Sequence, residues 1–133
     1  MDCLFCKIVA GEIPCRKVFE TENTLAFLDI SPLSEGHTVV VSKRHYVNLI
    51  DFPEDEMPSF FKDLKATAKL VKDKLQVEGF NILQNNFPVA GQVIPHIHFH
   101  ILPRYKDINF AKITKNAEYA SNEALDEIFR KFK

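Results

Sequence analysis

Gly91-Gln92-Val93-Ile94-Pro95-His96-Ile97-His98-Phe99-His100-Ile101-Leu102-Pro103-Arg104 is the stretch on which the fold turns. Read with a period of two, His96, His98 and His100 fall on one side and Ile97, Phe99 and Ile101 on the other. A β-strand sends alternate side chains to opposite faces, so the pattern predicts a half-buried strand bearing three imidazoles, stopped by Pro103. Successive imidazoles would be attached roughly 6.6 Å apart, whereas a helix would scatter them in three directions. Three of the chain's five histidines stand here. Two chemistries compete for them. Imidazole is a common metal ligand, and His-x-His on a strand is a familiar ligand pair. Imidazole can also attack phosphorus and form a covalent intermediate.

The rest of the chain narrows the class. At 133 residues it predicts a single domain over 1–133 with room for a real core. Hydrophobic residues make up 46% and charged residues 26%, as in ordinary soluble globular proteins. A net charge of -1 gives no bulk attraction for a nucleic acid duplex, so any phosphate must be held by a local site. Met1-Asp2-Cys3 does not begin a basic, apolar leader, and no apolar run is long enough to span a membrane. Three cysteines, an odd number, disfavour a disulfide framework. The expected location is cytoplasmic.

Upstream, Cys3 to Ala10 reads as a short helix or turn ended by Gly11. Its Cys3-x-x-Cys6 pair is a weak signal alone, because two thiolates cannot close a tetrahedral metal site; buried thiols are the plainer reading, and Cys15 receives it too. Arg16–Glu20 and Thr24–Asp29 read as strands joined by the short polar turn Thr21-Glu22-Asn23. His37–Ser42 is a β-branched strand, followed by the basic turn Lys43-Arg44-His45-Tyr46. Between about Glu54 and Val77 the apolar residues Met57, Phe60, Phe61, Leu64, Ala68, Val71 and Leu75 recur at three and four, which predicts one long helix. Pro58 fits only its first turn, and Gly79 is expected to end it. Phe80–Gln84 reads as a strand and Asn85–Gly91 as a loop. Residues 105–119 show weak periodicity and receive no assignment. A last helix starts near Ser121 or Asn122, with Leu125, Ile128, Phe129 and Phe132 as its apolar stripe. Strands do not alternate with helices, so the expected class is α+β: an antiparallel sheet of about five strands, one long helix on it, and a C-terminal helix.

These residues carry a resemblance. His96-Ile97-His98-Phe99-His100-Ile101-Leu102 resembles the H-φ-H-φ-H-φ-φ signature (φ apolar) of the histidine triad (HIT) family. The likeness extends to Phe5-Cys6-Lys7-Ile8, Gly11-Glu12-Ile13-Pro14, Asp29-Ile30, Gly36-His37, Lys43-Arg44-His45 and Gly91-Gln92, over roughly residues 3 to 104, and is strongest toward the short Hint-type members. The resemblance implies an α+β sheet commonly paired into a homodimer, and chemistry at the α-phosphate of a purine nucleotide, either a nucleoside phosphoramidate or a dinucleoside polyphosphate. It implies His98 as the nucleophile, with His100 and His37 lining the phosphate site and Gln92 assisting. Asp29 would hold ribose hydroxyls beside Ile30, and Asn85, Gly91 and Gln92 would contact the phosphate or leaving group. In zinc-containing relatives, positions matching Cys3, Cys6, His45 and His96 form a structural site, so zinc is an expected cofactor. One departure stands out: Val93 replaces the Ser or Thr usual after the Gly-Gln pair, which bears on choice of substrate more than on the reaction. Two rival functions remain open at this stage. One is a nucleotide-binding regulatory protein with residual catalysis, the other a metal hydrolase using all three triad histidines.

Overall fold

A computed structural model describes residues 3–106 and 119–133 of the chain. Five strands, β1 (Lys17–Glu20), β2 (Thr24–Leu28), β3 (Thr38–Ser42), β4 (Gly79–Leu83) and β5 (His98–Arg104), form one sheet in the order β1-β2-β3-β5-β4. Every neighbouring pair is antiparallel. Helices α1 (Leu4–Val9), α2 (Met57–Leu75) and α3 (Asn122–Arg130) complete the described chain. The α+β expectation is met.

Alternation along the strands sorts the side chains into two clusters. Ala26, Val40, Ile97, Phe99 and Ile101 join Phe60, Leu64, Ala68, Val71 and Leu75 of α2 on one face. Leu25, Phe27, Val39 and Val41 turn to the other, where Cys3 and Phe5 cover them. Both faces of β2 and β3 are therefore covered, which is why all their residues are buried. Residues directly opposite in a ladder share a face. Val41 faces His98 and Val39 faces His100, so the register puts both imidazoles on the α1 side of the sheet. A one-residue slip would send them into the α2 core.

Helix α2 follows a 3₁₀ turn at Glu54–Glu56 and has Pro58 in its first turn, where no backbone donor is lost. Asp63 on it accepts hydrogen bonds from Thr21 Oγ1 (2.8 Å) and Thr24 Oγ1 (2.7 Å), which ties the β1–β2 turn to the helix. Truncating a residue such as Leu64, buried in this core, would cost about 2–5 kcal/mol. Helix α3 is capped by Ser121 Oγ, which accepts from Ala124 N–H at 3.1 Å, as the sequence predicts. Leu125 is buried, and Ile128 and Phe132 pack against the α2-side core.

Three local expectations are corrected. Helix α2 is closed by Gln76 in a left-handed conformation (φ 54°), and Gly79, three residues on, is the first residue of β4. Pro103 does not stop the triad strand but lies within β5, opposite Phe80. Pairing with β3 ends at Ile101, and past it one side of β5 has no strand to which an N–H is owed. His96 lies before β5, outside the ladder. Most of the unassigned 105–119 segment lies outside the described residues. Among the described residues, no helix is long and apolar enough to cross a membrane.

Candidate active site

The nucleophile expected at position 98 sits in a defined setting. His98 is buried on β5, and its Nδ1 lies 2.7 Å from the carbonyl oxygen of His96. A carbonyl can only accept, so Nδ1 carries the hydrogen and Nε2 keeps its lone pair. Phe5 of α1 packs edge-on against the same ring, with centroids 5.0 Å apart. Burial lowers the imidazole's pKa, against a smaller upward pull from the His96 carbonyl, which favours the neutral ring a nucleophile requires.

Beside it, His100 and His37 form a directed pair. The backbone N–H of Leu33 donates to His37 Nδ1 at 3.1 Å, so His37 holds its hydrogen on Nε2. That atom lies 2.8 Å from His100 Nδ1, which must therefore accept and leave the His100 hydrogen on Nε2. One backbone amide thus fixes two tautomers. The His98 and His100 rings are 4.9 Å apart. Burial depresses the pKa of both His37 and His100 to about 4. Asp29 Oδ2 lies 3.6 Å from His37 Nε2, and Oδ1 accepts from Ser31 N–H at 2.8 Å. Burial raises its pKa more than the Ser31 bond lowers it. A metal ion among Asp29, His37 and His100 would need both His37 nitrogens bare, which the Leu33 amide and the His100 contact argue against.

The loop before the triad is pinned by Gln92. Its Oε1 accepts from Phe87 N–H at 2.8 Å, while Nε2 donates to the carbonyls of Val47 (2.5 Å) and Ile94 (3.1 Å). All of these partners are backbone groups, and Gln92 is buried. Gly91 has φ +95°, and a Cβ there would stand 3.5 Å from Asn85 Nδ2, so Asn85 and Gly91 are brought together. Val93 and Ile30 are exposed.

His96 points elsewhere. Its Nε2 donates to the Ser42 carbonyl at 2.7 Å, which leaves Nδ1 as a bare lone pair. That nitrogen lies 3.4 Å from Cys3 Sγ, 3.5 Å from Cys6 Sγ and 3.1 Å from His45 Nδ1, and Cys6 Sγ is 3.3 Å from His45 Nδ1. A tetrahedral site with bonds of about 2.0–2.3 Å needs ligand edges of about 3.3–3.8 Å, and these separations are close to that. Burial and the neighbouring Cys3 push the Cys6 thiol up to about 11, an unfavourable setting for a thiolate that a cation would reverse. Two sulfurs and two imidazole nitrogens form a closed donor set of the structural kind. The triad therefore divides. His96 stands with Cys3, Cys6 and His45, while His100 stands with Asp29 and His37 and His98 with neither group, so the three rings do not converge on one ion.

Several contributors carry no sequence signal. The Leu33 amide and the His96 and Ser42 carbonyls act through backbone atoms. Phe5 enters the sequence reading only as part of the Phe5-Cys6-Lys7-Ile8 likeness, and its closeness to His98 is what gives it a place at the site.

The HIT domain family matches residues 10–107. An uncharacterised HIT-like protein of Methanocaldococcus jannaschii is 47% identical over 131 residues, covering 98% of each chain. An adenosine 5′-monophosphoramidase of Candida albicans is 36% identical over 135 residues, covering 98% of this chain and 89% of its own. Among solved structures, a zinc-bound histidine triad family protein from Mycobacterium smegmatis superposes with a TM-score of 0.80 at 32% identity, covering 99% of this chain and 94% of that one. With the triad, its paired tautomers and the four-residue Cys/His cluster in place, the chain belongs to the histidine triad family.

Proposed function

We propose that the protein is a nucleotide hydrolase that cleaves the phosphorus–nitrogen bond of a purine nucleoside 5′-phosphoramidate through a nucleotidyl-His98 intermediate. The observation that carries this reading is the His98 tautomer: Nδ1–H is held by the His96 carbonyl at 2.7 Å, so the lone pair sits on Nε2. The name of the Candida albicans relative supports the substrate class. In the first step Nε2 bonds to the α-phosphorus, and the P–N electron pair leaves with the amine, which takes a proton from solvent. His100 Nε2–H donates to a phosphate oxygen as charge develops there, its orientation preset by His37. In the second step water bonds to phosphorus, the bond to Nε2 breaks, and the nucleoside monophosphate departs.

Asp29 accepts hydrogen bonds from ribose hydroxyls, with Ile30 beside it. Asn85 and Gly91 contact the phosphate from the pinned loop, and Gln92 sets the shape of that loop in addition to any phosphate contact. Cys3, Cys6, His45 and His96 hold zinc, a reading supported by the spacing of their donor atoms and by the zinc-bound relative. Zinc there would tie α1 to the segment before β5. The chain acts in the cytoplasm on small nucleotides. It forms a homodimer through the β4 edge, the outer side of which has no partner strand and where Ile82 is exposed, as is Phe61 of α2. His98→Ala should abolish turnover of adenosine 5′-phosphoramidate, by at least about a thousandfold, while leaving nucleotide binding within a few-fold. Normal turnover by that variant would refute the reading, and tight binding with negligible wild-type turnover would favour a regulatory binder.

A further inference from the structure

The loop from Asp29 to His37 carries both a proposed ribose ligand and the histidine that orients His100. A cavity of about 150 Å³ lies between the loop and α3, lined by Asp29, Glu35 and His37 on one side and Ala120, Leu125 and Ile128 on the other, so α3 side chains do not fill the space against the loop. Besides the bonds within the loop, two hydrogen bonds reach it from outside, one from just after β5 and one from just before α3. Ala120 N–H donates to the Ile30 carbonyl at 3.0 Å, and Tyr105 Oη donates to the Glu35 carbonyl at 2.9 Å. Helix α3, which Ala120 precedes, has its own footing. Leu125 is buried, and Arg16 beside β1 binds Asp126 (2.8 Å) and Asn122 (3.2 Å) of α3.

Each bond acts on a different functional group. Asp29 Oδ1 accepts from Ser31 N–H, so Ile30, the residue between them, is held on one side by Asp29 and on the other by Ala120. Glu35 lies within the turn that sets His37, where Leu33 N–H reaches the ring and His37 N–H donates to Ser34 O at 3.0 Å. We infer that Ala120 and Tyr105 together make a two-point positioning device for this loop. The Ala120 amide fixes Asp29 for ribose recognition, and the Tyr105 hydroxyl fixes His37, and through it His100, for the chemical step. Neither residue touches reacting atoms; both are positioning residues. The inference rests on the functional reading above.

The test uses full-length Ala120→Pro, Ala120→Gly and Tyr105→Phe proteins, with adenosine 5′-phosphoramidate and its 2′-deoxy counterpart as substrates. A hydrogen bond worth about 0.5–1.5 kcal/mol corresponds to effects of about threefold to tenfold. Ala120→Pro, which removes the N–H, should raise KM for the ribose substrate by about that factor, pull the ribose-to-deoxyribose preference toward one and spare kcat. Ala120→Gly keeps the N–H and should restore wild-type values. Tyr105→Phe keeps the ring and should lower kcat by about the same factor, with KM and sugar preference unchanged. Variants with wild-type kinetics on both substrates overturn the proposal, as does loss of stability without the KM-against-kcat split. If Ala120→Pro does not fold, a Tyr105→Phe enzyme with wild-type kcat overturns it alone. A wild-type enzyme inert on both substrates overturns the functional reading and this one with it; an active wild type with unmoved variants overturns only this one.

Discussion

A carbonyl oxygen decides which nitrogen of His98 keeps its lone pair, and a backbone amide does the same for His37 and His100. The tautomers therefore survive side-chain substitution nearby as long as the local backbone stays in place. The same burial has a cost at low pH. An ordinary histidine titrates near 6.5, but His37 and His100 are held at about 4 in the folded chain. Between those values the unfolded chain binds more protons than the folded one, so stability falls as pH drops from about 6.5 toward 4. The loss should reach a few kcal/mol at most, read as a falling Tm across that window. His100→Gln should flatten the slope, and a Tm independent of pH over this range would contradict the burial argument. Gly36 adds a steric constraint to the same loop: its φ is +84°, and a Cβ there would stand 2.2 Å from Leu75 Cδ1.

Among elements, α1 and the segment before β5 are joined through four donor atoms rather than through a ladder. Cys6→Ser should remove bound zinc and lower the Tm by roughly 5 °C or more, while the His98 adduct still forms on the same ring. A wild-type protein free of zinc, with a Tm unmoved by Cys6→Ser, would contradict the assignment. Much of this level was legible in the sequence. Period two placed Ile97, Phe99 and Ile101 in the core, period three-to-four marked α2, and Ser121 marked the start of α3. What escaped depended on partners distant in the chain. Pro103 is tolerated because β3 ends where it does, and Gln76 closes α2 in a conformation that glycine would ordinarily supply. His96 has the triad's spacing, yet its ring belongs to the cysteines because Ser42 O claims its other nitrogen. The family resemblance grouped Cys3, Cys6, His45 and His96, and the structure brings all four together. The resemblance implies Gln92 as a contact to the phosphate or leaving group, and three backbone groups occupy its amide.

For the whole molecule, the sheet has an open edge at β4, and Ile82 (46% exposed) lies on the α2 face, on which Phe61 of α2 is equally exposed. Covering that edge with a second copy would remove both an unpaired strand and an apolar strip. Sedimentation should give twice the chain mass, and Ile82→Lys should shift it to the monomer; a wild-type monomer at micromolar concentration would contradict the proposed assembly. The catalytic account does not depend on that outcome, because every residue assigned to phosphorus chemistry comes from one chain. Its direct test is to quench the enzyme during turnover of adenosine 5′-phosphoramidate carrying labelled α-phosphorus and to map the label by peptide mass spectrometry. The account predicts one adenylyl group on the His98 imidazole, absent from His98→Ala; label on another side chain, or turnover with no adduct at any quench time, would contradict it.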